Sequence, residues 1–208
     1  MRITIFGATG TLGRVIVQQA LAKGHDVTAF SRSDGALDHN MAHLNIVKGD
    51  VLDGAAVSAA IADADAVICA LGAGRNGKLR ANGTANILAG MTAQGVKRII
   101  CLSSLGVGDS AKNLNFFWKY IMFGLLLRPA FADHVAQEKL LRASNSDWTI
   151  VRPAAFTDGP LTGDFHHGFA APTRLKLALK ISRADVAHFM LGQLGSDHYL
   201  RKSPSLSS

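Results

Sequence analysis

The sequence predicts an α/β fold in which helices cover both faces of a doubly wound parallel sheet. Two observations carry this prediction. Strand-like and helix-like segments alternate through the first half of the chain with short joints, and such alternation is typical of parallel strands joined by crossover helices. The runs Val67–Leu71 and Ile99–Leu102 are apolar throughout, as strands covered on both faces of a sheet must be.

The elements of the first half follow one another in a regular order. The first strand, residues 2–6, leads into a glycine-rich turn, and apolar residues at helical spacing follow that turn. Periodicity and turn residues give the remaining boundaries in the same way. We predict further strands at residues 26–31, 44–48, 65–70 and 97–102, and helices near residues 12–23, 54–61 and 82–94.

The second half of the chain, after residue 103, is less regular. Ser182 and Asp185 resemble a capping box that begins a last helix. We expect the tail, residues 203–208, to be frayed. Three further elements are predicted here: a helix at residues 133–144, a strand at 148–152 that ends at Pro153, and a strand over 175–181 in which buried apolar positions alternate with solvent-exposed ones.

One aromatic-rich apolar segment, residues 116–127, stands out in this half. It is interrupted by Lys119 and is shorter than the roughly 20 apolar residues that a membrane span needs. Two interpretations stay open: a helix or turn packed on the core, and an apolar wall or lid over a flat substrate. Contact with a protein partner or a membrane surface is a third.

Composition limits the functions to consider. The chain has 208 residues, 48% of them hydrophobic, and a formal net charge of +7, so we expect one domain, residues 1–208, with a full core. The basic residues are scattered and nucleic-acid motifs are missing, which disfavours a nucleic-acid partner. Cys69 and Cys101 lie in apolar strands, and we expect no signal peptide. Together these features predict reduced thiols and a cytoplasmic protein.

The glycine-rich turn runs from Gly7 to Gly13 with the spacing Gly-x-x-Gly-x-x-Gly. This spacing differs from the commoner dinucleotide motif Gly-x-Gly-x-x-Gly. Such a turn between a strand and a helix leaves backbone N–H groups free at the helix N-terminus, where a pyrophosphate binds. The sequence therefore predicts a nucleotide site at the start of the chain.

The end of the second predicted strand indicates which nucleotide binds. An acidic residue there holds the ribose 2′-hydroxyl of NAD, whereas an Arg accommodates the 2′-phosphate of NADP. Here Arg32 and Ser33 follow the strand, and they offer a planar cation and a hydroxyl to a phosphate. The alternative is a surface Arg that pairs with Asp34. We favour NADP(H).

Motifs spread over the chain carry a family resemblance. They are Gly7–Gly13, Arg32, Gly49–Val51, Ala70–Gly72, Ser103–Ser104 and Val151–Pro153. From residue 1 to about residue 200 the chain resembles the atypical short-chain dehydrogenase/reductases, which have an NAD(P)-binding Rossmann domain. Segments after residue 130 narrow the similarity to the biliverdin reductase B, or flavin reductase (NADPH), type. These segments are Asp133–Val135, Asp158–Gly163 and Ile181–Leu191.

This resemblance implies an organisation and a set of residue roles. It implies a Rossmann-like doubly wound sheet with a nucleotide-binding half at about residues 1–103. A small C-terminal substrate-side extension would occupy about residues 104–200. The implied cofactor contacts are Gly7, Thr9, Gly10, Thr11 and Leu12 at the pyrophosphate, Arg32 at the 2′-phosphate, Asp50 and Val51 at the adenine, Leu71 and Gly72 along the cofactor, and Ser103, Ser104 and Pro153 at the nicotinamide. The turn itself and the end of the second strand add Gly13 and Ser33 to the predicted cofactor site.

One pair of residues common in short-chain dehydrogenases is missing. Neither Tyr120 nor Tyr199 is followed by Lys four positions later, so the Tyr-x-x-x-Lys proton-delivery pair is absent. Hydride transfer to a flavin or a conjugated tetrapyrrole needs less acid–base help, because the acceptor spreads the incoming charge. Ser104 and His134 are the candidate catalytic residues. Cofactor positioning by Ser104 and a surface position for His134 are the alternatives.

Other chemistry is less well supported. Ser104 lacks the first glycine of a Gly-x-Ser-x-Gly elbow, so a hydrolase is disfavoured. His166 and His167 would point to opposite sides of an extended chain, and we predict no metal site. Ala155 stands where the biliverdin reductase B type has a His, which leaves the substrate open.

Two functions remain as hypotheses. The first is an NADPH-dependent reductase that acts on a flat conjugated acceptor, such as a flavin or a biliverdin-like pigment. The second is a redox-sensing regulator of the NmrA-like type, which binds NADP(H) without turnover and contacts another protein, with residues 116–127 as a candidate surface. An epimerase-like enzyme is disfavoured because the Tyr/Lys pair is missing.

Overall fold

A computed structural model describes residues 1–33, 37–38, 40–72, 79–113, 128–169 and 179–208. The predicted segment 116–127 and most of the predicted strand 175–181 lie outside these residues. The strands are β1 Arg2–Phe6, β2 Asp26–Ser31, β3 Leu44–Lys48, β4 Ala66–Cys69, β5 Arg98–Leu102, β6 Asp147–Pro153, β7 Ala155–Thr157, β8 His166–Gly168, β9 Lys180–Ser182 and β10 Ser205–Ser207. The helices are α1 Thr11–Ala22, α2 Gly54–Ile61, α3 Leu79–Gln94, α4 Arg128–Ala143 and α5 Arg183–Gly192.

The main sheet has the strand order β3-β2-β1-β4-β5-β6-β10-β8. Every neighbouring pair is parallel except β10 and β8, which are antiparallel. The order reverses between β1 and β4, and ligands bind at such a switch point, beyond the carboxyl ends of the strands. The predicted α/β class with a doubly wound parallel sheet is confirmed.

Two apolar cores lie on opposite faces of this sheet, because side chains alternate along each strand. In β4, Ile68 belongs to the core that contains the buried residues of α1 and α5. Its neighbours Val67 and Cys69 belong to the core packed under α2 and α3. Both faces of the central strands are therefore covered, which explains why the sequence of β4 is apolar at every position.

The predicted frayed tail is wrong. Residues 205–207 form β10, which pairs with β6, and the Leu206 side chain is only 1% exposed. The Ala154 N–H donates to the Leu206 carbonyl oxygen at 2.9 Å. Leu206 is the one aliphatic residue in this tail, and a single apolar position cannot show the alternation that predicts a strand. Burial of Leu206 and pairing with β6 hold the tail in place.

Two helices begin earlier than the sequence predicts. Helix α3 begins three residues before its predicted start, and α4 begins five residues before its own. The predicted cap of α5 is confirmed: the Asp185 N–H donates to Ser182 Oγ at 2.9 Å.

Cys69 and Cys101 are buried free thiols, and burial raises the pKa of Cys101 well above its usual range. Among the helices that the structure describes, none combines the length and the apolar character needed to cross a bilayer.

Candidate functional site

The turn between β1 and α1 depends on two glycines. Gly7 has φ of +81°, and a Cβ added there would lie 2.5 Å from the Ala70 carbonyl oxygen. A Cβ on Gly13 would lie 2.0 Å from the Gly7 carbonyl oxygen. Since real Cβ atoms do not approach so closely, only glycine allows the helix to pack this near the strand. Gly10 precedes α1 and has no side chain with which to cap it, so the positive helix end can receive an anion.

A first pocket, of about 220 Å³, lies beyond the ends of β1 and β2, and we term it the Arg32 pocket. The Ser31 hydroxyl donates to the carbonyl of Ser33, which folds the chain back after β2. The rings of Phe6 and Phe30 pack with centroids 5.0 Å apart. The pocket is lined by Gly7, Thr9, Gly10, Phe30, Ser31, Arg32, Ser33, Gly49, Val51, Leu71, Gly72 and Leu79.

A second cavity, of about 320 Å³, lies beyond β4, β5 and β6, and we term it the Ser104 cavity. Apolar residues form much of its wall. Ser104 Oγ donates to the Leu105 carbonyl oxygen at 3.2 Å. The cavity is lined by Gly10, Thr11, Leu12, Gly13, Ala70, Leu71, Gly72, Arg80, Leu102, Ser103, Ser104, Leu105, His134, Pro153, Ala154, Ala155, Phe156 and Leu179.

The two spaces share Gly10, Leu71 and Gly72. They therefore form one groove that crosses the switch point of the sheet between β1 and β4. A groove of this shape can hold an elongated ligand with one end beside Arg32 and the other beside Ser104. The glycine turn lies between those ends, where its free N–H groups fit a phosphate.

This groove brings the predicted site residues together with one exception. Each of them lines the Arg32 pocket, the Ser104 cavity or both, except Asp50. The Asp50 carboxylate instead accepts a hydrogen bond from the Leu52 N–H at 2.9 Å and so stabilises its own turn. Its neighbour Val51 does reach the Arg32 pocket.

Beside the cavity lies a buried charge network. Arg152 is 1% exposed, and its Nε and Nη2 donate to the two carboxylate oxygens of Glu138 at 2.9 and 2.7 Å. Its Nη1 donates to Asp109 at 2.5 Å. Although burial opposes the charged form, the hydrogen bonds to Glu138 and Asp109 raise the pKa of Arg152. Ser103 Oγ donates to Glu138 Oε1 at 2.7 Å, so the network holds one wall residue of the cavity.

A second buried carboxylate, Asp133, connects two helices beside the cavity. Its oxygens accept hydrogen bonds from the N–H groups of Arg80 and Ala81, each at 3.0 Å. These N–H groups lie in the first turn of α3, where no intrahelical acceptor exists. Asp133 on α4 therefore caps α3 and places the Arg80 side chain in the wall of the Ser104 cavity.

His134, the next residue of α4, lies in the same wall. Burial, and secondarily the charge of Arg80, lowers the pKa of His134 to about 4. Its imidazole is therefore neutral at pH 7. The residue is suited to accept or donate a hydrogen bond, whereas proton donation from an imidazolium at neutral pH is disfavoured.

Three charged residues at or beside the Ser104 cavity have no role predicted from the sequence: Arg80, Glu138 and Arg152. Only Arg152 lies within a motif that carried the family resemblance, and it had no role there. Burial is the feature that distinguishes them, and no local pattern indicates a buried charge. Among the residues that the structure describes, no group of three or more His, Cys, Asp or Glu could hold a metal ion.

Comparison with known families agrees with this geometry. The profile of a family described as NAD(P)H-binding matches residues 7–197, which include both the glycine turn and α5. An uncharacterised protein of Mycobacterium tuberculosis is 37% identical over 105 residues. That alignment covers 50% of this chain but only 12% of the longer relative.

Two solved structures show how similar the fold is. ChuY, an anaerobillin reductase from Escherichia coli O157:H7, superposes with a TM-score of 0.81 at 25% identity, covering 99% of this chain and 96% of ChuY. A short-chain dehydrogenase/reductase from Veillonella parvula in complex with NADP superposes with a TM-score of 0.80 at 18% identity. It covers 100% of this chain and 94% of the Veillonella chain, and at this identity it supports the fold.

Proposed function

The chain belongs to the NAD(P)H-binding family, and on that basis we propose that it is an NADPH-dependent reductase. The proposed reaction transfers a hydride to a flat conjugated acceptor such as a flavin or a biliverdin-like pigment. The fold is that of an oxidoreductase with a nicotinamide cofactor. Beyond that fold, we propose both the preference for NADPH and the type of acceptor.

The observation that carries the proposal is the continuity of the groove. The Arg32 pocket and the Ser104 cavity meet at Gly10, Leu71 and Gly72, beside the free N-terminus of α1. A dinucleotide has this layout, with a phosphate bridge between two ends. The residues present fit it, because Gly7 and Gly13 let the N-terminus of α1 pack close to the strand ends, where its free N–H groups can receive the phosphate bridge.

Arg32 and Ser33 support NADPH as the cofactor. Both line the pocket at the end of β2, where dinucleotide-binding folds distinguish the two cofactors. A guanidinium fork and a hydroxyl suit a 2′-phosphate. An acidic side chain, which would favour NADH, is not among the residues that line this pocket in the described part of the chain.

The nicotinamide end of the cofactor would enter the Ser104 cavity beside Ser103, Ser104 and Pro153, and the apolar wall beyond it supports a flat, largely apolar acceptor. Leu102, Leu105 and Phe156 contribute to that wall. Bound NADPH would supply the hydride. The chain would position two flat rings face to face, with Ser104 and neutral His134 as hydrogen-bonding groups and solvent as the proton source.

The relative ChuY adds support for a reductase. It is similar over nearly its whole length, and its description as an anaerobillin reductase supports a reductase on this fold. The absence of a Tyr-x-x-x-Lys pair is compatible with an acceptor that stabilises its own added charge.

Stopped-flow absorbance tests the proposal. Protein loaded with NADPH is mixed with a panel of flavins and linear tetrapyrroles, and oxidation of the bound cofactor is followed at its absorbance maximum. We expect rapid oxidation with at least one acceptor and none with simple ketones. Tight NADPH binding with no oxidation across the panel would contradict the proposal and support a cofactor-sensing regulator instead.

A further inference from the structure

The two nitrogens of the His134 imidazole lie in different surroundings. Nδ1 is buried and has no hydrogen-bond partner among the described residues. Nε2 is not buried in this way, and the residue lines the Ser104 cavity. The ring therefore turns its Nδ1 edge into the protein and its Nε2 edge towards the cavity.

Gln137 supplies the group next to Nδ1. It lies one turn further along α4, and residues three positions apart are neighbours on one face of a helix. Its amide nitrogen donates to Thr84 Oγ1 at 3.0 Å and to Cys69 Sγ at 3.7 Å, which uses both amide hydrogens. Its Oε1 is buried without a partner among the described residues. A hydrogen on His134 Nδ1 would therefore satisfy a buried nitrogen and a buried oxygen together.

The protonation state of His134 allows the ring only one hydrogen. Burial, and secondarily the charge of Arg80, lowers the pKa of His134 to about 4, so the imidazole is neutral at pH 7 and carries a single N–H. A side-chain hydrogen bond with Gln137 acts in the opposite direction and favours the charged ring, which is the effect of an oxygen acceptor. The hydrogen therefore lies on Nδ1, and Nε2 keeps a free lone pair towards the cavity.

The hydroxyl groups in the same wall offer lone pairs as well. Ser103 Oγ donates its hydrogen to Glu138 Oε1 at 2.7 Å. Ser104 Oγ donates its own to the Leu105 carbonyl oxygen at 3.2 Å. A ligand group beside these atoms is matched when it supplies hydrogens. An uncharged N–H suits this largely apolar cavity best, because a cationic donor would lose its hydration there.

We propose that His134 accepts, at Nε2, a hydrogen bond from an uncharged N–H group of a ligand in the Ser104 cavity, and that Gln137 positions the ring for it. This inference rests on the proposed function, because it takes the nicotinamide end of NADPH to enter this cavity. The nicotinamide carboxamide and an N–H on the edge of the acceptor offer the same chemistry. With either source, His134 selects the ligand and is not its proton donor.

Two pairs of probes distinguish these sources without turnover. NADP⁺ is compared by calorimetry with its 3-acetylpyridine analogue, in which a methyl ketone replaces the carboxamide and removes its N–H. On protein loaded with NADP⁺, lumiflavin is compared with 3-methyllumiflavin, which lacks the N–H at the ring edge. We expect the compound with the N–H to bind about 5- to 10-fold more tightly in one pair. A difference between the nucleotides assigns the N–H to the carboxamide, and a difference between the flavins assigns it to the acceptor.

Variants connect that preference to the residues of α4. His134→Phe should abolish it and leave the affinity for the compound without the N–H unchanged. Gln137→Leu should weaken it, because the ring is then free to carry its hydrogen on Nε2. Lys139→Gln is the matched control, since Lys139 lies on the exposed side of the same helix and its substitution should change neither affinity.

NMR of the isotope-labelled parent protein locates the hydrogen directly. We expect a protonated Nδ1 and an unprotonated Nε2 for His134 at about pH 7.5, with the signals assigned by their loss in His134→Phe. In Gln137→Leu the unprotonated character of Nε2 should diminish, a change that a purely structural role of Gln137 would not produce.

Several results would overturn the proposal. A parent protein that distinguishes neither pair would do so, as would a preference that survives in His134→Phe or a hydrogen found on Nε2. If circular dichroism shows that His134→Phe does not fold, Gln137→Leu and the spectrum of the parent decide the question. Because no hydride moves, a silent acceptor panel would reject the reductase and leave the comparison of NADP⁺ with its analogue standing.

Discussion

Arg152 and Glu138 form a buried two-point ion pair in which Nε and Nη2 of the arginine donate to the two carboxylate oxygens at 2.9 and 2.7 Å. Arg152 lies on β6 and Glu138 on α4, so the pair fastens the helix to the sheet. Ser103 on the loop after β5 donates to the same carboxylate. Three elements that border the Ser104 cavity therefore meet at one carboxylate.

Removing one member of this pair should destabilise the protein strongly. Arg152→Gln would leave the buried Glu138 carboxylate with only Arg142 Nη2, at 3.4 Å, as a counter-charge, and removing one partner of a buried pair costs about 3 to 5 kcal/mol. Urea unfolding followed by circular dichroism measures the effect. Arg201→Gln is the control, because Arg201 pairs with Asp147 at 3.6 Å on the exposed surface and should cost less than about 1 kcal/mol. Similar losses in both variants would contradict the special role of the buried pair.

The buried C-terminal strand leads to a second prediction. Leu206→Ala should lower the free energy of unfolding by about 2 to 4 kcal/mol, since it removes a fully buried side chain that neighbours cannot replace. Leu52→Ala, at a residue that is 51% exposed, should change it by less than about 0.5 kcal/mol. Thermal and urea unfolding of both variants would show whether residues 205–207 are as firmly held as β10 implies.

Residues near the glycine turn illustrate what the sequence could predict. The order strand, turn, helix is local, so Gly7, Gly10 and Gly13 could be assigned to the groove from spacing alone. Arg32 could be assigned because it directly follows β2, the strand to which the turn and α1 lead. Arg80 and Glu138 could not, since Arg80 depends on the contact of α4 with α3 through Asp133, and Glu138 on the contact of α4 with β6 through Arg152. Tertiary contacts of this kind leave no local periodicity.

Gly13 allows a direct test of the turn. Gly13→Ala places a Cβ 2.0 Å from the Gly7 carbonyl oxygen, so the turn must shift, and we expect NADPH affinity to fall at least about tenfold. Fluorescence titration of bound NADPH measures this change. Gly54→Ala is the matched control, because its added Cβ meets nothing closer than Asn86 Oδ1 at 3.9 Å. The control should bind NADPH normally and be as stable as the parent or slightly more stable.

Arg32 should determine which cofactor the protein prefers. Arg32→Ala removes a charged hydrogen-bond donor to the 2′-phosphate, so the Kd for NADPH should rise about 10- to 100-fold. The Kd for NADH, which lacks that phosphate, should change less than about threefold. Arg32→Lys keeps the charge without the planar fork and should give an intermediate loss. Equal losses for both cofactors would sink the NADPH assignment.

His134 should make the stability of the protein sensitive to acid. Its pKa is about 4 in the folded protein, because burial disfavours the charged ring, and about 6.5 in the unfolded chain. Between these values the unfolded chain binds a proton that the folded protein does not, so stability falls as the pH drops from about 6.5 towards 4. Above pH 7.5 both states are neutral at this residue, and below about pH 3 both are protonated and the loss is complete.

The variant His134→Gln isolates this contribution from the acidic groups that titrate in the same range. Free energies of unfolding of the parent and the variant are measured by urea denaturation from pH 8.5 to pH 4.5. The parent should lose about 2 to 3 kcal/mol more than the variant between pH 7.5 and pH 4.5, following the pKa difference of more than two units. From pH 7.5 to 8.5 the difference between them should stay constant, which serves as the internal control. A difference that is flat over the whole range would show that the ring protonates as freely in the folded protein as in the unfolded chain, and proton donation by His134 at neutral pH would again be open.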